Sequence, residues 1–313
     1  KDALHELASK AGVELSYRSS KINSIIYEIN DFSKDLFHSN LFQSKVCMDY
    51  LLNKRKFSQE TIERFHLGSS FNSSALQKKL LDNFELKDLI SSGVFNKNQN
   101  SKIFFHNRVM VPIANTQEKI IGFGGRVIDE SLPKYINTAE TKLFKKKQIL
   151  FNESKLDKHL DKRLILVEGY FDVLKLYQFG FLNCVAPLGT SINHERVIEL
   201  TKKGYEVIIC LDGDLAGRNA SLRLMNNLLS SKDFELGVKF VLLPKNYDPD
   251  LMLESEMKDQ LTKLINQPLN IEQFIDKYLE KYLFSSDIDE QFKGSKVLKS
   301  ILSSIENVDL KKI

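Results

Sequence analysis

The chain has 313 residues, of which 42% are hydrophobic and 27% charged, and its 45 basic and 41 acidic side chains leave a net charge of +4. These values exclude an intrinsically disordered chain and a collagen-like sequence. The length allows about two or three globular domains. Three widely separated cysteines, Cys47, Cys184 and Cys210, exclude a dense disulfide framework and a Cys-x-x-Cys zinc ribbon, and they favour a reducing cytoplasm.

The chain contains no run of about 18 apolar residues, so the sequence predicts no membrane-spanning helix. It starts with Lys1 rather than methionine, and no targeting pattern follows. We interpret it as an excised fragment of a longer protein.

The first hundred residues carry helical patterns. Apolar residues recur at helical spacing from Ile25 to Phe37. The stretch from Ser58 to Phe65 begins at a good N-cap and is predicted to stop at Gly68. Further short helical patterns end in the break at residues 91–93.

From Ile103 the pattern changes to β structure. Two apolar runs, Val109–Ile113 and Ile120–Val127, flank a polar turn and predict a β-hairpin. Residues 97–150 hold ten basic and four acidic side chains, a net charge of +6, which leaves about −2 for the rest of the chain. This distribution indicates an anionic ligand held against a metal site, although a solvated surface is the commoner role for any single lysine.

After about residue 160, four apolar β-like runs alternate with three helical segments, which predicts a mainly parallel α/β sheet. The runs are residues 164–167, 184–186, 207–211 and 238–243, and the helical segments are residues 171–179, 194–203 and 216–229. From Leu251 to Ile305 the pattern is helical again.

Acidic residues follow three of these strands in pairs. The pairs are Glu168 and Asp172, Asp212 and Asp214, and Asp248 and Asp250. Because the carboxyl ends of parallel strands share one edge of the sheet, we expect the six carboxylates to converge there. A single acid after a strand is usually a solvated loop carboxylate, but three pairs at three strand ends favour a site.

Carboxylates packed this closely stay ionised only if cations lie among them. Oxygen ligands without His or Cys favour Mg²⁺ or Mn²⁺ over zinc. Gly169 and Gly213 would let backbone and a metal-bound phosphate approach closely. Two divalent ions about 3.5–4 Å apart serve phosphoryl transfer. The residues thus indicate nucleotide chemistry and leave polymerase, nuclease and phosphatase open.

Seven motifs occur in the order found in bacterial DnaG-type primases, and the chain resembles their RNA polymerase core. The motifs are Arg108-Val-Met-Val-Pro-Ile, Ile121-Gly-Phe-Gly-Gly-Arg-Val, Pro133-Lys-Tyr-Ile-Asn-Thr, Val167-Glu-Gly-Tyr-Phe-Asp-Val, Leu188-Gly-Thr-Ser, Asp212-Gly-Asp-Leu-Ala-Gly and Asp248-Pro-Asp. The resemblance covers almost the whole chain and is most specific over residues 108–250.

The resemblance implies an α/β fold, α+β overall, in three parts. These are a helical and basic mixed α/β subdomain over residues 1–160, a TOPRIM metal-binding subdomain with a mainly parallel sheet over 161–250, and a C-terminal helical subdomain over 251–313. It also implies a nucleotidyltransferase: a DNA primase with DNA-directed RNA polymerase activity, which makes short RNA primers on single-stranded DNA during replication.

The resemblance also assigns site residues. Glu168 is the expected catalytic acidic residue, acting as metal ligand or general base, and the expected metal ligands are Glu168, Asp172, Asp212, Asp214, Asp248 and Asp250. The expected nucleotide-binding residues are Arg126, Lys134, Tyr135, Asn137 and Lys146, which agrees with the local positive charge because a triphosphate needs cationic partners. The alternative for Arg126 is a structural ion pair. Lys54 and Arg55 are candidate contacts to template phosphates, and an exposed charged face is their alternative.

The implied cofactors are two or more Mg²⁺ or Mn²⁺ ions, with no zinc in this fragment. The implied partners are single-stranded DNA, ribonucleoside triphosphates and the RNA primer. We expect a monomeric core in the bacterial cytoplasm, at the nucleoid and replication fork, with no membrane partner. Contact with the replicative helicase is expected only through a domain that this chain lacks.

Three rival functions remain. Another TOPRIM nucleotidyl-transfer enzyme or nuclease would share the acids, although no separate DNA-gating segment with a nucleophilic tyrosine is present. An aspartyl phosphatase would use Asp212 and Asp214 but would leave the other acidic pairs unexplained. A non-catalytic DNA-binding module would not need six clustered carboxylates, which cost stability.

Overall fold

A computed structural model describes residues 17–97, 102–156, 162–189, 191–234 and 237–305. The chain forms two compact units, one up to residue 145 and one from residue 146. The predicted boundary between residues 160 and 161, and Thr190 of the Leu188 motif, lie outside the described residues, so the three-part division stays a prediction. No helix within the described ranges is long and apolar enough to cross a membrane.

The first unit begins with helices. They are α1 (Tyr17–Gln43), α2 (Lys45–Asp49), a π-helical turn (Tyr50–Lys54), α3 (Gln59–Arg64), α4 (Ser73–Asn83) and α5 (Leu86–Ser92). Ser58 caps α3 as predicted, because its hydroxyl accepts a hydrogen bond from the Thr61 N–H. Gly93 ends α5 with a left-handed φ of 78°.

The prediction that the Ser58 helix stops at Gly68 is wrong. The helix ends at Arg64, and Gly68 begins the short strand β1 (Gly68–Ser69). A Cβ at Gly68 would lie 2.8 Å from the backbone carbonyl carbon of Phe37. Glycine is therefore needed there for close packing on α1 rather than for ending a helix.

The helices of the first unit pack on a four-stranded antiparallel sheet. Its strands are β1, β2 (Arg108–Ala114), β3 (Ile120–Val127) and β4 (Tyr135–Asn137), and they neighbour one another in that order. The β2–β3 pairing confirms the predicted hairpin. Phe123 of β3 packs edge-on against Phe37 of α1, with ring centroids 5.3 Å apart, and this contact joins helix to sheet in the core.

The second unit contains a five-stranded sheet in the order β5-β7-β6-β8-β9. Its strands are β5 (Leu150–Phe151), β6 (Arg163–Leu166), β7 (Cys184–Pro187), β8 (Glu206–Leu211) and β9 (Val238–Leu242). The last four are parallel, and β5 adds an antiparallel edge to β7. The four predicted strands are confirmed, whereas β5 was not predicted because a two-residue strand has no period.

Helices connect and extend this sheet. They are α6 (Tyr170–Gln178), α7 (His194–Lys202), α8 (Leu215–Leu229), α9 (Pro249–Leu253), α10 (Lys258–Asn266), α11 (Ile271–Leu283) and α12 (Ile288–Ser304). The first three are the predicted crossover helices. Phe274 of α11 stacks on Phe240 of β9 with ring centroids 4.3 Å apart, so the C-terminal helices share the core of the sheet. The mixed α/β class and the C-terminal helical segment are confirmed.

Candidate functional site

Six carboxylates follow three neighbouring parallel strands in the second unit. Strand β6 leads to Glu168 and Asp172, β8 leads to Asp212 and Asp214, and β9 leads to Asp248 and Asp250. Since β6, β8 and β9 are adjacent and parallel, their carboxyl ends lie at one edge of the sheet. We call these six residues the acidic edge.

Backbone N–H groups hold four of these side chains in place. The bonds run from Asp212 N to Glu168 Oε1 (3.0 Å), Gly169 N to Asp172 Oδ2 (3.0 Å), Gly217 N to Asp214 Oδ1 (2.8 Å) and Leu251 N to Asp248 Oδ1 (2.6 Å). Asp214 and Asp248 are the N-caps of α8 and α9, where a helix dipole favours negative charge. The fold therefore orients these carboxylates without a ligand.

Glu168 is electrostatically coupled to the other two loops. Desolvation of its carboxyl group, followed by the charges of Asp214 and Asp248, raises the pKa of Glu168, and the hydrogen bond from Asp212 N opposes the shift. The side chain still has exposed surface. The Glu168 carboxyl group is therefore influenced by neighbouring acids and remains accessible to solvent.

Asp172 is an acid of the site whose ionisation is opposed both by burial and by acids of the other two loops. Desolvation, followed by the charges of Asp212, Asp248 and Asp250, raises the pKa of Asp172 well above its ordinary value. Burial, followed by the charges of neighbouring carboxylates, also raises the pKa of the Cys210 thiol on β8. The acids of the three loops therefore lie close enough to raise the pKa of Glu168 and of Asp172.

The donor chemistry of the acidic edge fits a hard divalent cation, since every donor is a carboxylate oxygen. Nevertheless, no three His, Cys, Asp or Glu side chains come together as a ready-made cation cage in the described part of the chain. Mg²⁺ is commonly held by one or two carboxylates, with water and substrate phosphates as the other ligands. The expected convergence is therefore seen as electrostatic coupling rather than as a closed coordination shell.

Two glycines allow the loops of the acidic edge to pack together. A Cβ at Gly213 would lie 1.9 Å from the Pro244 carbonyl oxygen, and the Gly213 N–H donates to Tyr247 O at 2.8 Å. A Cβ at Gly217 would lie 2.7 Å from Glu168 Oε1. At Gly169 the nearest atom would be Asp172 Oδ2, at 3.2 Å. The close packing of the two loops is thus sufficient to explain why residue 213 is a glycine, and the approach of a phosphate is not needed for this.

Arg218 ties two acid-bearing loops together, and its role was missed in the sequence. Its Nε donates to Gly213 O at 3.2 Å, and its Nη2 donates to Leu243 O at 3.3 Å. These carbonyls lie in the loops that follow β8 and β9. Arg218 comes four residues after Asp214, one helical turn away, and this spacing was the available signal.

In the first unit, cations and tyrosine rings form a second cluster. Arg126 of β3 lies directly across from Tyr135 of β4, with its guanidinium carbon 4.8 Å from the ring centroid. Its Nε donates to the Tyr50 hydroxyl at 2.6 Å. The ammonium of Lys134 lies 5.9 Å from the Tyr135 ring, and that of Lys54 lies 5.7 Å from the Tyr50 ring. We call these five residues the basic–aromatic cluster.

Asn137 extends the same face of the sheet. It lies two residues beyond Tyr135 and across from Gly124, so its side chain points to the face that carries Tyr135 and Arg126. Its Oδ1 is buried and accepts no hydrogen bond within the described part of the chain. A buried acceptor of this kind indicates a ligand or water partner.

The structure therefore brings together four of the five predicted nucleotide-binding residues, namely Arg126, Lys134, Tyr135 and Asn137. Lys146 lies in a 3₁₀ turn at the start of the second unit. Of the template candidates, Lys54 belongs to the basic–aromatic cluster and is exposed, whereas Arg55 is half-buried.

Two residues of this region were not assigned from the sequence. Tyr50 is 76 positions from Arg126, and no local pattern connects them. Arg108 donates through Nη1 to Gly125 O and Lys134 O, and through Nη2 to Pro133 O. It therefore fixes the backbone on both sides of the basic–aromatic cluster. Its place at the start of a motif was the only signal.

Two family models match the chain. A DNA primase catalytic core, N-terminal domain, matches residues 36–157, and a Toprim domain matches residues 162–239. The chain is 34% identical to the DNA primase of Rickettsia conorii, over 98% of this chain and 53% of that protein. It spans about half the length of the curated relatives it matches.

Two solved structures are similar over almost the whole chain. One comprises the zinc-binding and RNA polymerase domains of the Aquifex aeolicus primase, with a TM-score of 0.77 and 30% identity, over 98% of this chain and 74% of that one. The other is a DnaG primase catalytic domain bound to single-stranded DNA, with a TM-score of 0.74 and 30% identity over 93% of both chains.

Proposed function

The chain belongs to the family of DnaG-type DNA primase catalytic cores, and from that premise we propose that it synthesises short RNA primers on single-stranded DNA. In this reaction the 3′-hydroxyl of the growing RNA attacks the α-phosphate of a ribonucleoside triphosphate, and pyrophosphate leaves. The observation that carries the proposal is the acidic edge, a coupled group of carboxylates at the carboxyl ends of parallel strands.

The acidic edge is the proposed metal site, with Glu168, Asp172, Asp212, Asp214, Asp248 and Asp250 as candidate ligands for Mg²⁺ or Mn²⁺. Bound there, divalent cations would neutralise phosphate charge and polarise the reacting phosphoryl group. Glu168 is the proposed general base. Its raised pKa and exposed surface suit a carboxyl group that accepts a proton from the attacking hydroxyl.

Three residues of the basic–aromatic cluster, Arg126, Lys134 and Tyr135, form the proposed nucleotide site together with Asn137. Arg126 offers guanidinium donors to triphosphate oxygens, and Lys134 adds positive charge. Lys146 of the second unit stays a predicted nucleotide-binding residue. Tyr135 presents a ring for stacking, and the buried Asn137 Oδ1 is available to accept a hydrogen bond from the nucleotide. Lys54 and Arg55 are proposed to contact template phosphates.

We also propose the setting of this reaction. The partners would be single-stranded DNA, ribonucleoside triphosphates and the RNA primer, at the replication fork in the bacterial cytoplasm. The core would act as a monomer, and contact with the helicase would need another part of a longer protein.

The proposal is tested by incubating the chain with single-stranded DNA, ribonucleoside triphosphates and Mg²⁺ or Mn²⁺. We expect metal-dependent RNA products, and we expect Glu168→Gln and Asp212→Asn to lower their yield by about 100-fold or more, because each removes charge from the reacting centre. Asp233→Asn is the matched control, since Asp233 is an exposed acid that pairs with Lys202.

Circular dichroism must show that all three variants are folded. Retention of full activity by folded Glu168→Gln would contradict the proposal. DNA nicking without polymerisation would favour the other TOPRIM activities instead.

A further inference from the structure

Helix α6 buries a lysine behind the acidic edge. Lys175 has no exposed side-chain surface, which is rare for a lysine unless it is paired. Its Nζ donates to Glu254 Oε1 at 2.6 Å and lies 3.6 Å from Asp250 Oδ1. Removing the partners of a completely buried charge strongly destabilises the folded protein. This ammonium is therefore an integral part of the fold.

Two carboxylate partners of Lys175 lie on the short helix α9 or directly at its end, where Glu254 is the C-cap residue. Asp250 is only 8% exposed, and Glu254 follows it by four residues, at the helix end. Residues spaced by four lie on the same face of a helix, so α9 presents two carboxylates to one ammonium. Asp250 is thus held from inside the protein by a fixed cation.

Helix α9 also sets the orientation of Asp248. Its N-cap is Asp248, whose Oδ1 accepts the Leu251 N–H. A helix of five residues is not stable by itself, because few hydrogen bonds offset the cost of nucleation. The contacts that hold α9 against α6 therefore decide where the Asp248 carboxylate lies.

We propose that Lys175 is a positioning residue of the acidic edge, which holds α9 through Asp250 and Glu254 and so places Asp248 for metal binding. Asp250, itself a candidate metal ligand, is accordingly held by Lys175, and Asp248 is the carboxylate of this motif whose orientation depends on that contact. The part that concerns metal binding rests on the proposed function, whereas the anchoring of α9 does not.

The first test measures anchoring in the metal-free chain. Amide hydrogen exchange is compared between the wild type and Lys175→Met, which keeps the length of the side chain and removes its charge. We expect exchange in residues 250–254, including the Leu251 N–H, to become at least about tenfold faster while the strands of the sheet stay protected. Unchanged exchange there would overturn the proposal.

The second test separates positioning from a merely structural role. Calorimetric titration with Mn²⁺ of the folded Lys175→Met protein, well below its melting temperature, should show an affinity about tenfold lower than that of the wild type, as expected for a residue that orients a metal ligand. Wild-type affinity in the folded variant would overturn the positioning role. Lys202→Met is the control, because Lys202 pairs with Asp233 at the surface.

If Lys175→Met does not fold, Glu254→Gln decides the question, since it keeps Lys175 paired with Asp250. We expect faster exchange in residues 250–254 and about threefold weaker Mn²⁺ binding, because one of the two anchoring contacts loses its charge. No change in either measurement would overturn the proposal. If the wild type itself binds no Mn²⁺, the proposed metal site fails, and the exchange data still decide whether Lys175 anchors α9.

Discussion

In the first unit the charges of the basic–aromatic cluster lie against tyrosine rings and a hydroxyl, whereas in the second unit the carboxylates of the acidic edge lie among one another. Arg126 contacts Tyr50 and Tyr135, which stabilise its positive charge. Asp172 and Glu168 have raised pKa values because desolvation and, after it, the charges of neighbouring acids oppose their ionisation. The two sites hold their charges in opposite ways.

This difference indicates what each region needs from a ligand. In the basic–aromatic cluster the cations already contact tyrosine rings and a hydroxyl group. A bound anion would add contacts to these cations. In the acidic edge like charges lie close together and are held by backbone hydrogen bonds and by Lys175, so cations bound there would stabilise it. We therefore expect substitutions that alter loop packing at the acidic edge to reduce activity more than substitutions that remove one contact of the basic–aromatic cluster.

The largest expected effect is that of Gly213→Ala. The new methyl group would lie 1.9 Å from the Pro244 oxygen, so the loops after β8 and β9 must separate. We expect a loss of about 3 kcal/mol in the free energy of unfolding and about 100-fold in primer synthesis, because displaced carboxylates no longer act together. Denaturant unfolding and a primer-extension assay measure both effects.

Gly169→Ala is the matched control at the same edge. Its methyl group would meet only the Asp172 carboxylate, at 3.2 Å, and this side chain can adjust. A smaller loss is expected. Equal losses in the two variants would show that the acidic edge does not depend on the close approach of the two loops.

An intermediate effect is expected at the basic–aromatic cluster. Arg126→Met should raise the KM for ribonucleoside triphosphates about 10- to 100-fold with a smaller change in kcat, because charge-assisted hydrogen bonds to phosphate are lost. Tyr50→Phe should raise KM only about fivefold, since it removes one hydrogen bond that orients Arg126. Steady-state kinetics with varied nucleotide measure these values.

Lys119→Met is the control for the Arg126 variant, because Lys119 also lies over a tyrosine ring, that of Tyr27, at 5.0 Å and outside the cluster. Its KM should equal that of the wild type. An unchanged KM in Arg126→Met would place the nucleotide elsewhere.

The smallest effect is expected from Lys54→Gln. Lys54 is exposed in the π-helical turn, and one lost phosphate contact should lower the slope of log affinity for single-stranded DNA against log salt by about 0.7. Fluorescence anisotropy at several salt concentrations measures the slope. Lys87→Gln is the control, since Lys87 is exposed and pairs with Glu85. The same slope in both variants and the wild type would remove Lys54 from the template surface.

Local hydrophobic patterns predict the alternation of strands and helices in the second unit. Strand β8 is buried on both faces, so its apolar run is continuous and easily recognised. Once these strands are recognised, the acids that follow β6, β8 and β9 are predicted to lie together, because parallel strands bring their carboxyl ends to one edge of the sheet. By contrast, β1 and β5 have two residues each, and only pairing with a neighbour makes them strands.

Tertiary packing sets which charged groups meet within each unit. Helical patterns alone do not show that Lys175 is fully buried, since lysine is usually exposed and its partners lie 75 and 79 positions away. The contact between Arg126 and Tyr50 spans 76 positions. Local sequence reports hydrophobic periodicity and strand ends, because these depend on neighbouring residues. The pairing of distant side chains depends on packing, which no local pattern encodes.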